Sequence, residues 1–305
     1  MTRRCSRCWR WSATTLGFVG AVLIGGCRAR TPVAVAPAPA AVSVPASQEA
    51  PPRDTHENLN AVLWMQTSVE YRAVAIGAFA HARLLLDAAL NDPTRSAALE
   101  QQGPDLPVPT AVVLDVDETV LDNSPYQAQQ TLDRAGRFDP GLWTRWVRQA
   151  SAEPIPGALE FLAYARSRGV KVLFVTNRDG VTEQDATVEN LRRLGFQISA
   201  DDVLCQGEQG WSRDKTARRA FVAKQYRILL LVGDDFGDFV SVAGAAPEAR
   251  RALLDQHQAF LRDRWVVIPN PTYGSWESAL LAGVADRSDA AMLQSKRAAM
   301  KGMAR

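Results

Sequence analysis

The stretch Ala111-Val112-Val113-Leu114-Asp115-Val116-Asp117-Glu118-Thr119 decides how this chain folds. Four apolar residues without polar interruption read as a strand covered on both faces, because a strand with one wet face alternates instead. Directly behind it stand two carboxylates two residues apart, a costly placement unless they share a cation. Short β-rich apolar runs recur at 170–175, 203–205, 228–232 and 265–268, separated by segments that read as helices over 140–150, 157–168, 183–194, 214–225 and 248–262. Upstream, 58–89 keeps apolar residues at three and four spacing and reads as a long helix or a helical pair. The alternation predicts an α/β three-layer, Rossmann-like parallel sheet with an N-terminal helical extension. About sixty residues separate Asp115 from Thr176, too few for a large inserted cap domain.

In that architecture ligands sit beyond the carboxyl ends of the strands. After 170–175 come Thr176, Asn177 and Arg178, a hydroxyl, an amide and a cation suited to an anionic oxygen. After 228–232 comes Gly233-Asp234-Asp235-Phe236-Gly237-Asp238, a second acidic strand end. Carboxylate oxygens without His or Cys select Mg²⁺ over zinc. Lys215 opens the helix before that strand; Lys224 lies late in the same helix, away from the ligand end. The three histidines, His56, His81 and His257, include no Arg-His-Gly context, which argues against a histidine nucleophile or a His-rich di-metal site.

The N-terminal 54 residues have a different character. Arg3, Arg4, Arg7 and Arg10 precede an apolar stretch from Leu16 to Gly26, the pattern of an export signal. Ile24-Gly25-Gly26-Cys27 resembles a lipobox in which Cys27 becomes the lipidated first residue; an ordinary signal peptide or a twin-arginine route stays open. Arg28 after Cys27 resembles outer-membrane sorting. Residues 31–52 are Ala/Pro/Val-rich and read as an extended spacer. The expected organisation is a signal over 1–26, a linker over 27–55, and a domain over 56–305. Within the domain we expect N-terminal helices over 56–105, a catalytic core over 106–285 and a helical tail over 286–305. Cys5 and Cys8 would leave with the signal, so no disulfide is expected, and Cys205 reads as a buried strand-end thiol.

The whole chain carries 35 Lys+Arg and 33 Asp+Glu, but residues 1–54 hold seven basic and two acidic side chains. That leaves 28 basic and 31 acidic for the body, which excludes a strongly basic surface for polymeric nucleic acid. No uninterrupted apolar run reaches the roughly 18 residues of a spanning helix.

Taken together, Asp115-x-Asp117-x-Thr119, Thr176, Lys215 and Gly233-Asp234-x-x-x-Asp238 resemble the haloacid dehalogenase superfamily. More narrowly, VVLDVDETVLDNS, LFVTNR, LLVGDDFGDF and IPNPTYGSWE resemble the class C, lipoprotein e type, bacterial acid phosphatases; LWMQTSVEYRA and PIPGALEFL add to the match. The resemblance spans about 58–283. It implies a Mg²⁺-dependent acid phosphatase or 5′-nucleotidase, anchored by lipid to the bacterial outer membrane, with nucleotides as small-molecule substrates. Asp115 would be the nucleophile and Asp117 the general acid and base. Asp115, Asp117 through its backbone carbonyl, Asp234 and Asp238 would hold the metal, with Asp235 a poorer candidate. Thr176, Asn177 and Lys215 would bind the phosphoryl group, and Tyr273 would stack on a nucleobase, with Tyr126 and Trp143 nearby. A homodimer stays open. The alternative is a catalytically silent surface lipoprotein on the same scaffold; retention of all four acids speaks for the enzyme.

Overall fold

A computed structural model describes residues 56–101 and 108–303. The export signal, Cys27 and the spacer lie outside the described residues.

Strand β1 (Thr110–Leu114) is the middle of the sheet. Two short strands, β2 (Leu121–Asp122) and β3 (Glu153–Pro154), pair antiparallel as a separate flap. β4 (Lys171–Asp179), β5 (Val203–Gln206), β6 (Arg227–Gly233) and β7 (Trp265–Val267) complete a five-stranded sheet ordered β5-β4-β1-β6-β7. Every neighbouring pair in it is parallel. Because side chains alternate across a pleated strand, β1 feeds two apolar layers. Val112 and Leu114 enter one with Phe174, Leu230 and Val232. Ala111 and Val113 enter the other with Leu173, Val175 and Leu231. All seven residues of β6 are buried, which is why its sequence shows no alternation. Truncating a residue such as Leu114, fully buried, costs about 2–5 kcal/mol in comparable cores.

The N-terminal segment is a helical pair, α1 (Leu59–Thr67) and α2 (Val69–Leu90). The break falls at Ser68, whose extended backbone and hydroxyl, accepting from the Tyr71 N–H at 3.0 Å, cap α2. By length and composition α2 could cross a membrane, contrary to the reading of the apolar runs. Its Tyr71, Ala75, Phe79, Ala82, Leu86 and Ala89 instead line one face buried in the core. Helices α3 (Ser124–Leu132) and α4 (Pro140–Arg148) lie between the flap strands, and α5 (Ala158–Ser167) follows them. Gly157 precedes α5 at φ +92°; a Cβ there would stand 3.2 Å from Ile76 Cα and from Phe79, so glycine permits the approach of α2. α6 (Gln184–Arg193) and α7 (Thr216–Ala223) cover the sheet further on. The helix expected over 248–262 breaks at His257 into α8 (Pro247–Gln256) and α9 (Gln258–Asp263). Beside it Trp265 packs against Phe239 and Phe260, and its indole N–H donates to Ala97 O at 2.8 Å. α10 (Ser275–Leu280) and α11 (Asp289–Ala299) end the described chain.

From β1 the chain moves outward through β4 to β5, then crosses back to β6 and β7. The reversal beside β1 opens a crevice at the carboxyl ends of β1, β4 and β6. The flap with α3 and α4 and the segment after β7 stand beside it, and no large inserted domain is present among the described residues.

Candidate active site

Register brings the acids together. Leu114 pairs with Val232, and the Asp115 N–H donates to Val232 O at 2.9 Å, so Asp115 stands level with Gly233 and Asp234. Gly233 keeps the space clear: a Cβ on it would lie 2.2 Å from a carboxylate oxygen of Asp238. One oxygen each of Asp115, Asp234 and Asp238 then lies within 4.8 Å of the others. Burial raises the Asp234 carboxyl well above its ordinary range, with the charges of Asp115 and Asp238 adding to it. The Asp238 carboxyl is pushed up to about 7 by burial, against the opposing pull of Lys215. Such a set is stable only with protons or cations, and hard carboxylate oxygens fit a divalent ion. Thr119 Oγ1 donates to Asp234 Oδ1 at 3.2 Å, and Asn270 Nδ2 donates to Asp234 Oδ2 at 2.8 Å, orienting that carboxylate.

Lys215 enters this cluster from just before α7. Its ammonium, 5% exposed, bonds Asp115 and, at 2.6 Å, Asp238. Burial opposes its charge, yet the two carboxylates raise its pKa. The same helix carries two more buried cations one turn on. Arg218 donates to Thr176 O and to Asn177 Oδ1, the latter at 2.7 Å. Arg219 donates to Asp238 O at 3.0 Å and pairs with Glu100 at 2.7 Å. α7 therefore fixes the strand-end loops of both β4 and β6. Sequence reading missed Arg218 and Arg219, although three and four residues beyond Lys215 is same-face spacing.

Asp117 faces elsewhere. Glu118 takes a left-handed backbone, φ +56°, and its N–H donates to Leu121 O at 2.9 Å, so the chain doubles back after Asp117. Asp117 Oδ1 accepts from Arg178 Nε at 3.0 Å, Arg178 Nη2 at 2.8 Å and Asn123 Nδ2 at 2.9 Å. Its carboxylate is not one of the three clustered with Lys215, which leaves its backbone carbonyl as the route to a metal. Arg178, 2% exposed, also holds Thr187 Oγ1 at 2.9 Å and lies 5.5 Å from the Trp143 ring centre. Asn123 and Arg178 carry little sequence signal as a pair, because 55 residues separate them.

The remaining predicted residues divide similarly. Thr176 is fully buried and its hydroxyl accepts from the Arg178 N–H at 3.1 Å, so its proton stays available. Asn177 turns its oxygen to Arg218, leaving its amide N–H groups for an anion. Asp235 is an N-cap: it accepts from Gly237 N at 2.7 Å and from Ser275 N and Oγ at 2.5 Å each, which removes it as a metal candidate. Tyr273 is half-buried, and its hydroxyl donates to Glu118, whose carboxyl burial and the Asp117 charge raise well above the usual range. Tyr126 is buried and packs edge-on against Trp143 at 5.1 Å, so Trp143 is the more open of the two. Cys205 is a buried free thiol, pushed up to about 12 mainly by burial.

The chain is similar to known proteins. The structure of the class C acid phosphatase from Bacillus anthracis superposes with a TM-score of 0.71 at 33% identity, covering 81% of this chain and 98% of that one. The same Bacillus anthracis enzyme with tungstate bound gives the same values. "Acid phosphatase 1" of Solanum lycopersicum is 29% identical over 135 residues, 42% of this chain. The match spans about half, 51%, of that curated relative. A family model described as HAD superfamily, subfamily IIIB (acid phosphatase), matches residues 29–276. The chain belongs to subfamily IIIB of the HAD superfamily, the acid phosphatase subfamily.

Proposed function

We propose that this chain is a Mg²⁺-dependent phosphomonoesterase that works through an aspartyl-phosphate on Asp115. The observation that carries the reading is Lys215, buried between Asp115 and Asp238 and within the same cluster as Asp234. An ammonium among three acids makes a pocket that a phosphoryl group and a divalent cation can share.

Asp115, Asp234 and Asp238, with the carbonyl of Asp117, would hold the ion. When bound, it supplies charge neutralisation for the phosphoryl oxygens. Asp115 attacks phosphorus, and Lys215, Thr176 and Asn177 receive the phosphoryl oxygens. Asp117 protonates the leaving alcohol and then takes a proton from the water that opens the acyl-phosphate. Substrate class follows from the mouth of the crevice, where Trp143 and the ring of Tyr273 are partly open and Trp276 is 42% exposed. These aromatic faces favour nucleoside monophosphates or nicotinamide mononucleotide, with broad tolerance because no large cap stands over the site among the described residues. The pattern of residues 1–27 supports export and a lipid anchor on Cys27.

The test is turnover of adenosine 5′-monophosphate, nicotinamide mononucleotide and an aryl phosphate by the metal-stripped protein, with and without Mg²⁺, beside Asp115→Asn. Mg²⁺-dependent turnover lost in the variant is expected. Absence of turnover between about pH 5 and 8 would leave the silent-scaffold alternative.

A further inference from the structure

The three donors on Asp117 all meet one oxygen. Arg178 Nε and Nη2 and Asn123 Nδ2 converge on Oδ1, while Oδ2 accepts no hydrogen bond among the described residues. The side chain keeps 15% of its surface open.

A proton on Oδ1 would set an O–H against three N–H donors, two of them on a guanidinium that has no acceptor. The only lone pairs free of donors, and the only place for the proton, are on Oδ2. The arrangement is itself braced. Trp146 Nε1, a donor only, bonds Asn123 Oδ1 at 2.8 Å, which fixes that amide with its N–H groups toward Asp117. Arg178 Nη2 reaches the same Asn123 oxygen at 3.3 Å. Thr187, tied to Glu183 O at 2.8 Å, holds the other arm of the guanidinium.

We propose that Arg178 is a positioning residue for proton transfer: with Asn123 it commits Oδ1 of Asp117 and thereby makes Oδ2 the oxygen that exchanges the proton. This rests on the acid and base role assigned to Asp117 above. In the first half-reaction an Asp115 oxygen forms a bond to phosphorus and the bond from phosphorus to the leaving oxygen breaks. The leaving oxygen keeps that electron pair and takes the proton from Asp117 Oδ2. In the second half, water gives a proton to the same Oδ2 and its oxygen bonds phosphorus. The Asp115–phosphorus bond breaks, restoring the carboxylate and releasing phosphate.

The experiment uses the full chain loaded with Mg²⁺ and compares kcat/KM for 2-glycerol phosphate, whose alkoxide leaves poorly, with 4-nitrophenyl phosphate, whose leaving group scarcely needs a proton. General acid assistance is typically worth about 10²–10⁴-fold. For Arg178→Met we expect a loss of about 10²-fold on the alkyl ester and less than about tenfold on the aryl ester, the same split as for Asp117→Asn. Arg178→Lys, which keeps charge but not the fork, should fall between. Equal losses on both esters in Arg178→Met, with the split retained in Asp117→Asn, would overturn the positioning role. Absence of a split in Asp117→Asn would overturn the acid assignment itself. Should Arg178→Met fail to fold by circular dichroism, Asn123→Ser removes one of the three donors: a several-fold split supports the proposal, and equal losses contradict it.

Discussion

Asp115 and Asp117 are two residues apart on one strand end, yet they occupy opposite environments. Asp115 lies among Asp234 and Asp238 with Lys215 as its partner; Asp117 has Arg178 and Asn123 and stands outside that cluster. The left-handed turn at Glu118 and the register of β1 against β6 separate them. Neighbouring carboxylates of identical chemistry acquire different surroundings from what packs around them, one beside a buried ammonium and two further acids, one with a single oxygen free of donors.

The comparison breaks most completely at Asp115. Asp115→Asn should lower kcat by at least about 10⁴-fold, since loss of a nucleophile is not covered by its neighbours; steady-state turnover on an aryl phosphate checks this. Lys215→Met should cost about 10²–10³-fold in kcat. It should also lower stability by about 3–5 kcal/mol in urea unfolding of the metal-free protein, because two buried carboxylates lose their cation. Gly233→Ala acts on the cluster without touching Asp117. The new Cβ must displace Asp238, and Mg²⁺ affinity measured by activity titration should weaken about 10-fold or more.

The smallest effect sharpens the contrast by pH. In the metal-free protein the clustered carboxyls hold protons that an unfolded chain, with aspartates near 3.8, has already released. Stability should therefore fall as pH rises from about 4 through about 7, the value to which Asp238 is pushed. Saturating Mg²⁺ should flatten that slope in thermal unfolding; an unchanged slope would place the ion elsewhere.

How much of this was legible differs between the two regions. The apolar runs before Asp115 and Asp234 marked both strands and the acids that follow them, because buried parallel strands leave an unbroken signature. The surroundings of Asp117 were largely silent. Arg178 lies 61 residues from its partner, and Thr-Asn-Arg also reads as an ordinary turn. The flap strands are two residues each and α3 is rich in Gln, too short and too polar to show a period. Asn270 lies two residues beyond the expected last strand, 265–268, with Pro269 between, and the rule of searching strand ends reaches it. The hydroxyl bond of Tyr273 to Glu118 had no sequence signal.

The division of labour is tested most directly by acid-quench mixing of Asp117→Asn with 4-nitrophenyl phosphate. The first step scarcely needs an acid with this leaving group, whereas the second lacks its base. The account predicts a burst of one nitrophenolate per site and a phosphoryl group trapped on the peptide carrying Asp115. No burst, or label on any other residue, would contradict it.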